Sequence, residues 1–169
     1  PMVGVDFQKY LEIQKKERKA GIVRLYEAFS ILTTLTESIS YMHKAGLAHQ
    51  DLKPSNFLIA EKDGKIDSSH ISLFDLDTIY DAKAKHQISY TAGTEGFAAP
   101  EIRRGVVNHR TDIYSIAAII YYVLCDCERT FHGNEYYEIE KIISESKLVK
   151  NASFEKKQEW LTIVTSILK

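Results

Sequence analysis

His49-Gln50-Asp51-Leu52-Lys53-Pro54-Ser55-Asn56 is the stretch on which the reading of this chain turns. It places a carboxylate, an ammonium and an amide within six residues, just after Gly46 and just before the apolar run at residues 57–60. Four specified residues (His49, Asp51, Lys53, Asn56), each about 5% of ordinary composition, coincide in a chain of this length on the order of one time in a thousand. Two further stretches follow in order: Asp75-Leu76-Asp77 at the end of a second apolar run, and Ala99-Pro100-Glu101.

On the amino-terminal side, Ile22, Leu25, Phe29, Leu32, Leu35, Ile39 and Met42 recur at spacings of three and four. That period predicts a helix packed into the core, stopped by Gly46. Before it, Asp6 is placed to cap a helix over residues 7–20 whose charged run, 15–19, reads as a solvated face. On the other side, segments 57–60 and 71–76 are β-prone and Lys62-Asp63-Gly64-Lys65 supplies turn residues between them, which predicts a hairpin. Residues 77–96 read as a long loop of the kind kept for function. Asp112 precedes a helix over 113–124 that is apolar nearly all round, and two amphipathic helices are predicted at 135–147 and 154–168. No internal repeat, low-complexity tract or linker interrupts the chain, so residues 1–169 read as one domain, mainly α with a small β-hairpin region.

Composition bounds the function. With 169 residues and 44% hydrophobic content, a folded chain buries roughly 70% of its unfolded surface. A net charge of −1 argues against a nonspecific nucleic-acid binder. The longest apolar run, 116–124, is about half the roughly 20 residues a spanning helix needs, and the first residues show no basic-then-apolar signal. Cys125 and Cys127 are too close together to favour a stapled secreted fold, so a cytoplasmic location is expected. With His132 they make Cys-x-Cys-x4-His but no fourth zinc ligand; half-buried thiols are the expectation.

Together the three motif stretches resemble the carboxyl-terminal lobe of eukaryotic-type Ser/Thr protein kinases, most strongly over residues 25–124. The resemblance implies the α+β fold of that family with its amino-terminal lobe absent, because nothing before Asp51 forms Gly-x-Gly-x-x-Gly or offers the strand lysine and helix glutamate that anchor phosphates. It implies ATP and Mg²⁺ as cofactors of a complete enzyme that transfers the γ-phosphoryl group to a protein hydroxyl, with the isolated chain inactive. Phosphoryl transfer needs a placed hydroxyl, a held cation and neutralised charge, and these residue types supply them.

By the same resemblance, Asp51 would orient the substrate hydroxyl and accept its proton, and Lys53 would set positive charge beside the transferring phosphate. Asn56 and Asp75 would give oxygen ligands to Mg²⁺, and Leu58 an apolar floor for adenine. Thr94, within Gly93-Thr94-Glu95-Gly96-Phe97, would bridge Asp51 and Lys53 in the substrate loop. His49, Asp112 and Glu101 would support the loops, Asp112 by accepting backbone hydrogen bonds and Glu101 by pairing with an arginine near the domain's end, although the last arginine, Arg129, lies early. Without the resemblance, Asp51 is a turn-capping carboxylate, Lys53 a surface lysine, Asn56 and Asp75 turn residues, Leu58 a core leucine and Asp112 a helix N-cap.

Departures from the family pattern carry their own expectations. Gln50 stands where regulated kinases carry an arginine that holds an activation-loop phosphate, so activity is expected not to depend on phosphorylation at Ser89, Tyr90, Thr91 or Thr94. Leu76 and Asp77 replace the Phe-Gly of Asp-Phe-Gly, and Asp77 is expected to tolerate the left-handed backbone of the missing glycine. Two other readings compete: a binding or regulatory module that kept the lobe without catalysis, and a small-molecule kinase such as an aminoglycoside or choline kinase. Intact Asp51, Lys53, Asn56 and Asp75 weigh against the first, and the Thr94 loop with Ala99-Pro100-Glu101 against the second. The expected partners are a protein substrate and a completing amino-terminal lobe or chain, with self-association through uncovered apolar surface near Leu58.

Overall fold

The computed structural model describes residues 4–17, 21–62, 65–83 and 93–127, and positions 130, 141, 146, 155, 158, 159 and 162. Strand β1 (Gly4–Asp6) leads directly into helix α1 (Phe7–Lys16). Asp6 caps the helix as its sequence position predicts, with Oδ1 accepting the Lys9 amide at 2.8 Å. The helix stops at Lys16, a turn short of residue 20, with Lys15 and Lys16 in its last turn where cations suit the negative helix end.

Helix α2 (Gly21–Ala45) follows the predicted period. Leu25, Ile31, Leu32, Leu35 and Ile39 are all but fully buried. Gly46 takes φ 88°, a left-handed angle that turns the chain out of the helix at little cost for glycine. Strand β2 (Leu47–Ala48) then delivers the chain to the His49–Asn56 loop.

The predicted hairpin is present as β3 (Phe57–Lys62) and β4 (Lys65–Leu73), and it is longer than its apolar segments indicate. β1 adds to it, giving a three-stranded antiparallel sheet in the order β1-β3-β4. A side chain on Gly4 would place its Cβ 2.3 Å from the Ile59 carbonyl oxygen, so only glycine permits this approach. β4 ends at Leu73 instead of residue 76, because Phe74 and Asp75 leave the ladder and Leu76–Thr78 forms a 3-10 turn. Its first half was missed because Asp67, Ser68, Ser69 and His70 break the apolar alternation.

There the register jumps from Ile59↔Ile71 to Ala60↔Asp67, so three residues bulge from β4. Ser68 fixes the bulge to α2: its carbonyl accepts from the Thr34 hydroxyl at 2.8 Å, and its hydroxyl lies 3.0 Å from that of Ser30. Asp67 organises the turn. The Ser69 hydroxyl and amide, then His70, hold its carboxyl below the usual carboxylate range.

After a short strand β5 (Tyr80–Asp81), antiparallel to β2, the chain reaches helix α3 (His109–Leu124). This helix begins a turn before the predicted residue 113. Its cap is Asn108, whose Oδ1 accepts the Arg110 amide at 2.8 Å, so Asp112 is inside the helix and is not its cap. Ile116, Ile119, Ile120 and Leu124 pack with Phe7, Leu25, Leu32, Leu52 and Phe57 into one core, in which the Phe7 and Phe57 rings stack at 4.9 Å. Beyond α3, Asp126 receives Arg24 of α2 at 2.9 Å, and its carbonyl accepts from Lys15 of α1 at 3.1 Å. The architecture is mainly helical with a small antiparallel sheet, as the sequence indicated.

Cys125 and Cys127 are half-buried, and burial pushes the Cys127 thiol up to about 11. Among the described residues no group of three or more His, Cys, Asp or Glu could hold a metal, and no helix is long and apolar enough to cross a membrane. His132, Arg129, Ser89, Tyr90 and Thr91 lie outside the described residues, as do most of the predicted helices 135–147 and 154–168.

Candidate active site

The loop between β2 and β3 is held by α3. Asp112, fully buried, accepts the backbone amides of His49 and Gln50, each at 2.9 Å. His43 of α2 adds a third bond, with Nε2 2.9 Å from the same carboxylate. The His43 ring in turn stacks on His109 at 4.4 Å. Gln50 takes φ 72°, and consecutive amides flanking such a left-handed residue converge on an anion. A buried carboxylate with three donors is satisfied, and the loop it grips cannot shift without leaving charge unpaired.

Asp51 emerges next, only 7% exposed. Its Oδ2 accepts from Lys53 Nζ at 2.8 Å and its Oδ1 from the Thr94 hydroxyl at 2.8 Å. Lys53 Nζ also donates to Thr94 Oγ1 at 2.8 Å, closing a three-membered ring of side chains from two segments. Thr94 is presented by a tight turn: its carbonyl accepts the amides of Phe97 and Ala98 at 3.0 and 2.8 Å. Gly93 and Gly96 flank it with φ 122° and 85°, angles that side chains disfavour.

Asn56 closes the loop. Its Nδ2 donates to the Asp51 carbonyl at 3.0 Å and lies 3.4 Å from Asp75 Oδ2, so its amide oxygen is the atom left for another ligand. The Asp75 segment is tied to the loop by its own bonds: Phe74 N to Asn56 O at 3.1 Å, His49 Nε2 to Phe74 O at 3.3 Å and Thr78 Oγ1 to His49 O at 2.8 Å. The left-handed angle expected at Asp77 falls on Asp75, with φ 60° and ψ 54°. Asp77 lies in the 3-10 turn, because the tethered Phe74 and Thr78 force the sharp bend earlier.

Asp51, Lys53, Asn56, Asp75 and Thr94 are thus brought into one hydrogen-bonded cluster, with His49 and Asp112 behind it. Leu58 and Glu101 are not part of that network. Leu58 follows on β3 and lines a separate cavity beside α1 and α2. Glu101 sits in the 3-10 turn Pro100–Arg104 with no side-chain partner among the described residues. Sequence reasoning missed His43 and Thr78. The helix period does place His43 near the end of α2, one turn before the loop.

A family model described as protein kinase domain matches residues 2–168. The chain belongs to the protein kinase domain family. Over 143 residues this kinase-domain chain is 30% identical to calcium-dependent protein kinase 5 of Plasmodium falciparum (isolate 3D7), covering 85% of the chain and 24% of that protein. It is 34% identical over 128 residues to calcium-dependent protein kinase 4 of the same organism, covering 73% and 23%. With calcium/calmodulin-dependent protein kinase cmkB of Emericella nidulans the identity is 30% over 129 residues, covering 76% and 30%. The kinase-domain chain therefore spans less than a third of each of these relatives.

Proposed function

We propose that this chain is the catalytic lobe of a Ser/Thr protein kinase that uses ATP and Mg²⁺ and phosphorylates proteins in the cytoplasm. The observation that carries the reading is the closed ring of Asp51, Lys53 and Thr94, each pair at 2.8 Å. A carboxylate so held is aimed at a hydroxyl entering beside Thr94: it orients the nucleophile and takes its proton at Oδ1 or Oδ2. Lys53 offsets negative charge growing on the transferred group. The oxygen donors of Asn56 and Asp75 fit a hard cation, and the exposure of Asp75 leaves room for the waters and phosphate oxygens such an ion keeps. Bound there, Mg²⁺ would supply charge neutralisation on the nucleotide phosphates.

Phe74 and Leu76, 36% and 49% exposed, flank Asp75 as apolar surface at the edge of the cluster. This supports a completing lobe or partner chain that covers the nucleotide, and with it the inactivity of residues 1–169 alone. The deciding assay compares phosphate transfer by the complete protein to a generic basic protein with transfer to an aminoglycoside or choline. Transfer to the protein acceptor, lost in Asp51→Asn, is the expected result. Transfer to the small molecules alone, or none at all, would overturn the reading.

A further inference from the structure

The end of the 3-10 turn Pro100–Arg104 and the start of α3 present Arg103, Arg104 and Arg110 to solvent. Residues 102–111 hold these three arginines and no aspartate or glutamate, in a chain whose 22 basic and 23 acidic residues nearly balance. Elsewhere in the fold cations find carboxylates: Arg24 meets Asp126 at 2.9 Å, and Lys53 meets Asp51 at 2.8 Å. These three arginines make no side-chain hydrogen bond or ion pair among the described residues. The flanking carboxylates do not serve them. Asp112 is fully buried and bonded to His43, His49 and Gln50, and Glu101 is half-buried at the other end of the turn.

The backbone keeps the arginines close together. Gly105, at φ 74°, reverses the chain so that the Val106 amide reaches back to the Glu101 carbonyl at 3.1 Å, and Asn108 then starts α3. Val106 and Ile113, 48% and 39% exposed, set aliphatic surface in the same stretch, and Ile113 shares a helix face with Arg110, three residues before it. The end of α2 adds Lys44. The His43 ring stacks on His109 at 4.4 Å, and Lys44 follows the first ring as Arg110 follows the second, so the stack brings both cations to one end of the molecule. Lys44 is exposed, lies over the Tyr41 ring and has no carboxylate partner among the described residues.

Cations gathered without counter-charge repel one another, and an anionic group brought among them is attracted by all of them. Guanidinium groups take carboxylates through paired hydrogen bonds, and the positive end of the α3 dipole acts in the same sense. Val106 and Ile113 ask for aliphatic groups beside those carboxylates. A polynucleotide offers phosphates without such groups, and anionic membranes are held by clusters of about four to eight basic residues, where this stretch has three.

We propose that this surface docks an acidic segment of a partner protein, one in which glutamate or aspartate alternates with aliphatic residues. The docking is separate from phosphoryl transfer and requires neither ATP nor an intact Asp51, so it stands or falls apart from the proposed activity.

The test uses the complete protein and a fluorescein-labelled peptide of alternating glutamate and valine, read by anisotropy at physiological salt, with the lysine-for-glutamate peptide as control. Saturable binding with Kd below about 100 µM is expected for the acidic peptide only. Arg103→Gln/Arg104→Gln changes two exposed side chains and is expected to weaken binding about tenfold, and Arg110→Gln about threefold. Lys62→Gln/Lys65→Gln removes the same charge from exposed positions on the β3–β4 hairpin and is expected to leave binding unchanged, which separates this surface from net charge. Ile113→Ser is expected to weaken binding severalfold without altering its salt dependence, the mark of an apolar contact. Asp51→Asn is expected to bind as the parent does. The proposal is overturned by an acidic peptide that fails to bind, by equal losses from the Arg103/Arg104 and Lys62/Lys65 pairs, or by anionic vesicles or duplex DNA that bind more tightly than the peptide through the same arginines.

Discussion

Asp112 accepts the backbone amide of Gln50 at 2.9 Å although 62 residues of chain separate them. The bond fixes the turn from which Asp51 projects, so the Asp51 carboxylate is oriented by a helix that meets the loop only in the folded state. Asp112→Asn replaces one acceptor oxygen with an NH₂ group facing donors. An amide is then left buried and unsatisfied, at about 1–3 kcal/mol. Chemical denaturation should show that loss, and turnover by the complete protein should fall further than the stability alone predicts.

Within the ring of Asp51, Lys53 and Thr94, removal of the carboxylate charge should act on chemistry more than on fold. Asp51→Asn is expected to lower turnover about 10²- to 10⁴-fold with little change in melting temperature. Thr94→Ser keeps the bridging hydroxyl and should retain most activity, whereas Thr94→Ala should not. Steady-state kinetics on a peptide acceptor separates the three variants.

Gln50 combines a left-handed backbone with a buried, uncharged side chain, 6% exposed. Gln50→Gly relieves a conformation that costs a side-chain-bearing residue about 1 kcal/mol, so it should be neutral or stabilising, and Gln50→Val should destabilise. With no cation at this position to hold an activation-loop phosphate, phosphatase treatment of the complete protein should leave its activity unchanged. A large loss of turnover on dephosphorylation would refute this.

The Cys127 thiol, pushed by burial from its ordinary value of 9.0 to about 11, binds its proton more tightly folded than unfolded. Its contribution to stability is therefore fully present below about pH 9 and is lost as pH rises towards 11. Denaturation midpoints between pH 8 and 11 check the sign, and Cys127→Ser should flatten the profile. At pH 8, alkylation of Cys127 in the native protein should run about a hundredfold slower than in the unfolded chain, since the thiolate is that much scarcer.

Asp126 joins three helices through Arg24 and Lys15, and both it and Arg24 keep about 15% side-chain exposure. Asp126→Asn preserves tolerance for its φ of 54° but removes the charge opposite Arg24, whose Nε already lacks a partner. A loss of about 3 kcal/mol is expected, the low end for breaking a buried pair because some solvent remains. Adding 1 M salt should narrow the difference only slightly, since a pair this shielded is weakly screened.

Part of this was readable from the chain alone. The three-and-four spacing from Ile22 to Met42 marks α2 because a long amphipathic helix repeats its signal over about six turns, and Asp6 marks the start of α1 because a cap acts locally. The strands at 4–6, 47–48 and 80–81 carry no such signal, since two or three residues cannot show a period, and they form only because partners across the fold supply their hydrogen bonds. The same holds for the start of β4, where polar residues at 67–70 pair by virtue of the bulge against α2.

For the site, the spacing of Asp51, Lys53 and Asn56 alone determined which chemical groups share one loop, because residues two and five apart on a short turn cannot be far from each other. The sequence likewise determined the membership of the kinase family through the order of three short motifs. Tertiary structure decided the rest: that Asp112 faces the loop and leaves capping to Asn108, that the left-handed bend falls on Asp75 and not Asp77, and that His43 and Thr78 hold the loop from behind. Those outcomes depend on long-range hydrogen bonds, and a buried polar group takes whichever partner the packed helices and strands bring within about 3 Å, a choice that no local pattern encodes.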